Sequence, residues 1–209
     1  MALSELIDLY RRHPSCDKLL QLLTGENIPK THCAGLSGSS KSLLAASVIP
    51  RISGIHLIIM PEKEDAAYVY NDLVNLLGSD PVLFFPSSFK RSVHYNQVDN
   101  GNVILRTNVI NKLGSENPYG NGNFLIIVTH PEGLAEKVIT HKKLKQNTLL
   151  LNKGEKLSIG FMQEIMEEYH FTQVDFVYEP GQYAIRGSLV DVFSFANPDP
   201  SGICPIFRH

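Results

Sequence analysis

The chain has 209 residues, of which 43% are hydrophobic and 19% are charged, a composition typical of a globular protein of one or two domains. Its net charge of −2 argues against a protein that mainly grips duplex DNA, because neutralising phosphates requires a dense surface of lysine and arginine. The sequence also shows no signal-peptide pattern and no apolar run long enough to cross a bilayer, so we expect a cytoplasmic protein without a membrane partner.

Two alternating patterns run through the first two thirds of the chain. Short apolar runs predict buried strands of a parallel sheet at residues 30–36, 55–60, 82–85 and 124–128. Helical spacing of apolar residues predicts helices at residues 4–13, 16–23, 41–49, 61–77, 102–113 and 131–138. The alternation implies right-handed crossovers and an α/β fold. Residues 86–100 are polar and are expected to be irregular.

The pattern changes near residue 147, where we place a domain boundary. Residues 1–146 are expected to form the parallel-sheet domain and residues 147–209 a small α+β domain. In the second domain we predict a strand at residues 148–151, a turn at residues 152–154 and an amphipathic helix capped by Ser158. Antiparallel strands at residues 172–178 and 183–195, hinged by residues 179–181, complete it.

Residues 31–47 combine a predicted strand, a turn rich in glycine and serine, and the start of a helix. Residues 35–42 nearly fit the phosphate-loop pattern G-x-x-x-x-G-K-[ST], except that Ser40 replaces the second glycine. The candidate nucleotide-binding residues are Gly35, Gly38, Ser40, Lys41 and Ser42. A Cβ at position 40 crowds the place where a phosphate would approach the backbone. We therefore interpret the loop as degenerate, with nucleotide binding as the alternative.

A hydrolysing NTPase also needs a carboxylate at the end of an apolar strand to organise Mg²⁺ and water. Glu62 is the only carboxylate in such a position, and it is explained more simply as part of the first turn of a helix. The histidines lack metal-ligand spacing, and Cys16, Cys33 and Cys204 form no C-x-x-C pair. We therefore expect no catalytic residues, no metal and no bound cofactor, with ATP as the one candidate ligand of the degenerate loop.

Three further motifs carry a resemblance to a known family. Residues 181–193, GQYAIRGSLVDVF, resemble the signature G-x-[FY]-x-[VIT]-R-G-x-[LIV]-[LIV]-D-[LIV]-F shared by bacterial transcription-repair coupling factors and the excision-repair protein UvrB. Residues 129–134, THPEGL, are similar to the T-x-P-E-A-L segment of coupling factors. The degenerate loop and residues 85–88 lie in matching order, so the resemblance spans about residues 35–199.

The resemblance implies the amino-terminal module of a coupling factor, a helicase-like domain without ATPase motifs that carries a small domain. In that family the small domain docks on UvrA, the damage-recognition protein of excision repair. DNA and RNA polymerase are partners only through other regions of a much longer polypeptide. The alternative is a nucleotide-binding ATPase fragment related to UvrB, whose intact phosphate loop is not seen here.

The same resemblance implies that Arg186 contacts UvrA. Strand alternation places Arg186 on the face opposite Tyr183 and Ile185, so we expect its side chain to face solvent. The alternative is an ordinary surface salt bridge, with Glu179 or Asp175 as the partner.

The tail departs from the family pattern, which continues with an Arg-apolar-Asp-Phe-Phe strand. Residues 201–209 lack that strand, and we expect them to be poorly ordered or loosely packed. A truncation or a frame shift would account for the departure.

Overall fold

The computed structural model describes residues 3–25, 30–89, 98–146, 148–149, 151–152, 157–196 and 199–203. The chain forms two compact units, Met1–Ser87 with Asn111–Lys137 and Ser88–Ile110 with Val138–His209. Residues 88–110 therefore belong to the second unit, although they precede the predicted boundary. The division into a helicase-like domain 1–146 and a docking domain 147–209 stays a prediction. Among the described helices, none is long and apolar enough to span a membrane.

The helices, in chain order, are α1 (Leu3–Arg11), α2 (Pro14–Thr24), α3 (Ser40–Val48), α4 (Lys63–Leu77), α5 (Asn100–Leu113), α6 (Pro131–Ala135), α7 (His141–Gln146) and α8 (Ile159–Glu168). The strands are β1 (Gly54–Ile59), β2 (Val82–Phe85), β3 (Phe124–Thr129), β4 (Thr172–Gln173), β5 (Gln182–Arg186), β6 (Leu189–Phe193) and β7 (Ser201–Ile203). A 3-10 turn over Ile49–Arg51 follows α3.

The first unit is built on a parallel sheet in the order β1-β3-β2. Its central strand β3 is buried at residues 125–129, as expected for a strand covered on both faces. Helix α4 packs on the sheet, where Tyr70 stacks on Phe84 with 5.3 Å between the ring centroids. The sheet and the helices that connect its strands confirm the α/β class at this level.

The strand predicted at residues 30–36 is wrong, because the described residues of this segment have no strand partner. The segment instead lines a cleft of about 680 Å³ together with side chains of α1 and α2, such as Leu9 and Cys16. Its apolar groups are therefore directed to helices rather than to a neighbouring strand. Packing against these helices, and not the lack of a sheet edge, therefore accounts for the irregular backbone of this segment.

The second unit contains a sheet in the order β4-β5-β6-β7, parallel between β4 and β5 and antiparallel elsewhere. One face of this sheet packs on α8, and the buried side chains of this core are Met162, Met166, Tyr183, Val190 and Val192. Helix α8 begins as predicted, since the Ser158 hydroxyl accepts a hydrogen bond of 3.1 Å from the Phe161 amide.

The turn predicted at residues 179–181 is not the loop of the β5–β6 hairpin. Antiparallel pairing begins at Arg186 and Leu189, so the two-residue loop is Gly187-Ser188. Gly187 has φ +61°, as hairpin loops with glycine in the first position require.

The strand predicted at residues 148–151 is also wrong for the described residues 148, 149 and 151, which are irregular. Residues 153–154 of the predicted turn lie outside the described residues.

The expectation of a loose tail is wrong for Ser201–Ile203, which form β7. Strand β7 pairs with β6 so that Ile203 lies opposite Val190, and Ile203 packs against the core of the second unit. Strand β6 provides the physical reason, because β5 covers only one of its edges. The remainder of the tail, residues 204–209, lies outside the described residues.

Gly133 provides a test of packing in the first unit. A Cβ on Gly133 would lie 2.7 Å from the carbonyl oxygen of Phe85 and 3.0 Å from Oγ1 of Thr129. We expect Gly133→Ala to lower the free energy of unfolding by about 1–3 kcal/mol, because the backbone at the end of β2 has no room to shift without strain. Urea denaturation would measure the change.

Gly160 is the matched control for that substitution. It also lies in a helix, but a Cβ there meets no atom within 4 Å. Gly160→Ala should therefore leave stability unchanged or raise it slightly through helix propensity. Equal effects of the two substitutions would contradict the close approach at Gly133.

His170, which follows the C-cap residue of α8, has a left-handed backbone conformation with φ +59°. The amide of Phe171 donates to the Met166 carbonyl at 2.8 Å and the amide of His170 donates to the Glu167 carbonyl at 3.0 Å, the two bonds of a Schellman motif. Glycine usually occupies this position because it has no Cβ penalty. The Phe171 side chain continues into the core cluster.

We expect His170→Gly to stabilise the protein by about 1 kcal/mol, because it removes the cost of a left-handed side-chain-bearing residue. His170→Ala, which keeps the Cβ, should leave the stability nearly unchanged. Thermal and urea unfolding of the two variants measure both effects. A loss of stability in His170→Gly would mean that the imidazole itself holds the helix end.

Candidate functional site

The β5–β6 hairpin divides its residues between two faces. Tyr183 lies opposite Val192, and both are buried against α8. Ala184 lies opposite Asp191 on the other face, and Arg186 follows Ala184 by two positions on the same strand. Alternation therefore presents Arg186 on the outer face, as the sequence predicts. This face is not wholly solvated, since Ala184 is fully buried.

Arg186 has a carboxylate partner that was not predicted. Its guanidinium donates a hydrogen bond to Asp191 and forms an ion pair with it, with the arginine side chain 50% exposed and the aspartate 18%. The guanidinium carbon also lies 5.9 Å from the centre of the Phe176 ring, within the range of a cation–π contact. The salt bridge considered for Arg186 thus exists, but Asp191 is the partner instead of Glu179 or Asp175.

The segment between β4 and β5 is held in place by the side chain of Gln182. Its amide oxygen accepts hydrogen bonds from the amides of Tyr178, at 2.9 Å, and Glu179, at 3.0 Å. At the start of the segment the Val174 amide donates to the Tyr183 carbonyl at 2.9 Å. The segment therefore presents its side chains from a fixed backbone.

Two large aromatic side chains on this segment face solvent. Phe176 is 58% exposed and Tyr178 is 77% exposed. Aromatic side chains and arginine are enriched in protein–protein interfaces. Arg186, Phe176 and Tyr178 together have the chemistry of a docking surface.

Tyr183 anchors the opposite side of the hairpin. Burial raises the pKa of its phenol, and the nearby Glu167 carboxylate raises it further. The phenol donates a hydrogen bond of 3.4 Å to Gln173. Because the pKa of Tyr183 is raised in the folded state, the protonated phenol is favoured by folding. The stability is therefore unaffected by this group at neutral pH and decreases as the pH rises above about 10.

The degenerate loop lies in the first unit, and the structure keeps its five candidate residues together at the start of α3. Gly35 and Gly38 have φ of +81° and +52°. The amide of Ser40 donates to the Ser37 carbonyl at 3.1 Å, and the Ser40 hydroxyl donates to the same oxygen at 2.6 Å. In this loop the Ser40 amide therefore bonds within the protein, whereas a phosphate loop turns such amides to the ligand.

The next two residues of the loop differ in exposure. Lys41 is exposed, and Ser42 is buried in the first turn of α3. The Ser42 hydroxyl has no hydrogen-bond partner within the described parts of the chain. No sheet strand leads into the loop among those residues, so the strand–loop–helix order that was predicted is incomplete.

The carboxyl ends of β2 and β3 carry a buried histidine. His130 is 1% exposed, and its Nε2 accepts a hydrogen bond of 3.2 Å from the Ser87 amide. Its Nδ1 lies 3.7 Å from the Glu132 carboxylate. Because Nε2 accepts, the proton of the neutral ring lies on Nδ1, toward that carboxylate. These contacts tie two strand ends together.

Glu62, the carboxylate considered for Mg²⁺, is the N-cap residue of α4. In the described ranges no cluster of three or more His, Cys, Asp or Glu could hold a metal ion.

Cys16 lies buried in α2, where burial raises the pKa of its thiol, with a smaller increase from Asp17 and an opposing effect of Arg51. Such a thiol is poorly suited to act as a nucleophile.

Sequence reasoning missed Asp191, Phe176 and Tyr178 as members of the site. The pairing of Arg186 with Asp191 follows from a hairpin loop at Gly187-Ser188, a loop that the glycine of the motif signals. No feature of the sequence predicts that Phe176 and Tyr178 are exposed, because an aromatic residue next to a strand is more often buried.

Comparisons with known proteins identify relatives of this chain. Residues 149–202 match the family model of the UvrB interaction domain. The transcription-repair-coupling factor of Bacillus subtilis is 23% identical over 175 residues, which cover 84% of this chain and 14% of that protein. The Escherichia coli factor is 23% identical over 166 residues, covering 79% and 14%. The UvrABC system protein B of Vibrio parahaemolyticus is 24% identical over 204 residues, covering 90% and 29%.

The chain therefore spans about a seventh of the coupling factors and less than a third of the UvrB protein that it matches. The matched interaction domain contains the whole β5–β6 hairpin with Arg186 and Asp191. The motifs that suggested the resemblance thus lie within the matched regions. Over most of its length the chain is a module similar to transcription-repair-coupling factors and to UvrB, with a UvrB interaction domain pattern at residues 149–202.

Proposed function

We propose that this chain is a non-catalytic docking module that binds UvrA, the damage-recognition protein of excision repair, in DNA repair in the cytoplasm. The observation that carries the proposal is the match of residues 149–202 to the UvrB interaction domain. The outer face of the β5–β6 hairpin is the binding surface in this proposal, and Arg186 is its central residue. Binding to DNA and RNA polymerase is left to other regions of the longer relatives.

Arg186 suits this role because its planar guanidinium has five donors. Asp191 occupies part of the fork and Phe176 lies against its face, so the side chain is held in one orientation before binding. A preorganised arginine loses less side-chain entropy on binding than a free one. The side chain is half exposed, so in this proposal the donors that Asp191 does not engage bind a carboxylate or a carbonyl of the partner.

The alternative is a nucleotide-binding ATPase fragment. It is favoured by the similarity to the UvrABC system protein B over 90% of the chain and by Lys41 and Ser42 at the start of α3. Against it, the Ser40 amide is bonded to Ser37 and Ser42 is buried. We propose that the loop is a structural turn and that the module carries no cofactor.

The loop is tested with Mg-ATP. We expect phosphate release by the wild-type chain to equal that of a buffer blank, because the loop lacks its second glycine and Glu62, the carboxylate considered for Mg²⁺, is the N-cap residue of α4. A coupled phosphate assay measures the rate, with Lys41→Ala as the matched variant. Turnover in the wild type that disappears in Lys41→Ala would establish the ATPase alternative.

The docking surface is tested by calorimetric titration of purified UvrA into the wild-type chain and Arg186→Ala. We expect the variant to bind weaker by about 2 kcal/mol or more, roughly 30-fold, as for an interface hot spot. The melting temperature should change little, since a half-exposed ion pair contributes only about 0–1 kcal/mol. Absence of binding by the wild type would refute the proposed function.

Arg51→Ala is the matched control. Arg51 is also a partly exposed arginine in an ion pair, with Asp17 at 3.2 Å, but it lies in the first unit. Its loss should leave the affinity unchanged. Asp191→Asn keeps the guanidinium and removes its carboxylate partner, so it should lower the affinity less than Arg186→Ala. Equal affinities of wild type and Arg186→Ala would remove Arg186 from the interface.

A further inference from the structure

The segment of residues 175–179, here named the aromatic loop, is exposed in a way that the fold of the second unit does not require. Phe176 and Tyr178 are 58% and 77% exposed, although the core beneath the sheet has its own aromatic and aliphatic residues. Exposed aromatic side chains on a single short loop are a common mark of an interaction site.

The backbone of the aromatic loop is already ordered. Gln182 accepts hydrogen bonds from two of its successive amides, and the Gln182 amide in turn donates to the Glu179 carbonyl at 3.3 Å. Gly181, two residues after the loop, has φ +85°, and a Cβ there would lie 2.9 Å from the Phe195 ring. This fixed geometry lowers the entropy that the loop would lose on binding a partner.

The aromatic loop carries negative charge. Asp175 and Glu179 flank the two aromatic residues and are exposed, and neither carboxylate has an ion-pair partner in the part of the chain that the structure describes. Arg186 lies beside Phe176, but Asp191 balances its charge. The net charge of this surface is therefore negative.

Negative charge and exposed aromatic faces both favour one kind of ligand. The face of an aromatic ring attracts a cation, and carboxylates on either side add to that attraction. The same charges repel nucleic acid, whose binding depends on lysine and arginine. We propose that the aromatic loop is a docking surface for a lysine- or arginine-bearing segment of a protein, and, resting on the proposed function, that this segment belongs to UvrA.

The first experiment needs no UvrA and uses decalysine as the probe. Amide resonances of the aromatic loop are followed by NMR during titration of the ¹⁵N-labelled chain. We expect decalysine to shift them and decaglutamate and single-stranded DNA to leave them in place. The double variant Asp175→Asn/Glu179→Gln should lose most of the shift. Shifts by DNA, or equal shifts in the double variant, would overturn the proposal.

The second experiment measures UvrA binding by Phe176→Ser/Tyr178→Ser and by Asp175→Asn/Glu179→Gln. We expect the aromatic variant to bind about tenfold weaker or more. The neutralised variant should associate more slowly and show a smaller salt dependence of the association rate. The controls are Tyr68→Ser, an equally exposed aromatic of the first unit, and Asp65→Asn/Asp80→Asn, both exposed there as well. Melting curves verify that each variant is folded.

The outcomes separate this inference from the proposed function. Normal binding of UvrA by both loop variants would overturn the inference and leave the proposed function intact. Absence of binding by the wild type, together with decalysine shifts confined to the aromatic loop, would refute the proposed function and support a cationic protein segment as the ligand of the loop. Loss of binding only in the loop variants, with both controls unchanged, supports the two together.

Discussion

The register of the β5–β6 hairpin is the constraint on which the second unit depends. A shift of β6 by one residue would exchange its two faces relative to β5, placing Asp191 against α8 beside Tyr183 and exposing Val190 and Val192 on the face of Arg186. Burial of the Asp191 carboxylate in that core without Arg186 would cost several kcal/mol. The two-residue loop with Gly187 at its start specifies the same register as the hydrophobic pattern, so turn chemistry and packing agree.

The first unit shows what happens when local preference and tertiary environment disagree. Residues 31–36 were predicted to form a strand, yet the sheet pairs β1 only with β3 among the strands described. The loop after them keeps its glycines at positive φ and the helix start at Ser40, but its amide and hydroxyl bond to Ser37. The loop thus keeps the geometry of a tight connection into a helix. Its hydrogen bonds, however, differ from those that binding an anion would need.

The elements that sequence predicts correctly are those with a strong local signal. Strands β2 and β3 are continuous apolar runs, and α8 has both a capping serine and a helical stripe of core residues. Strand β7 has no long apolar run, and it forms because β6 offers an edge. In the site, the motif identifies Arg186, whereas its partner Asp191 depends on strand register. The exposure of Phe176 depends on which face the loop covers, a tertiary property that no local pattern reports.

Arg186 shows why a motif residue needs its surroundings before its role can be assigned. Considered alone, an exposed arginine adds a positive charge and favours an acidic partner. Paired with Asp191, it adds almost no net charge to the surface. It then contributes to binding through its shape, the direction of its hydrogen-bond donors and its contact with the Phe176 ring. The free charges nearby are then the carboxylates of Asp175 and Glu179. A partner that fits this surface therefore needs acceptors where the guanidinium points and cationic side chains beside them, a mixed pattern that discriminates better than one patch of uniform sign.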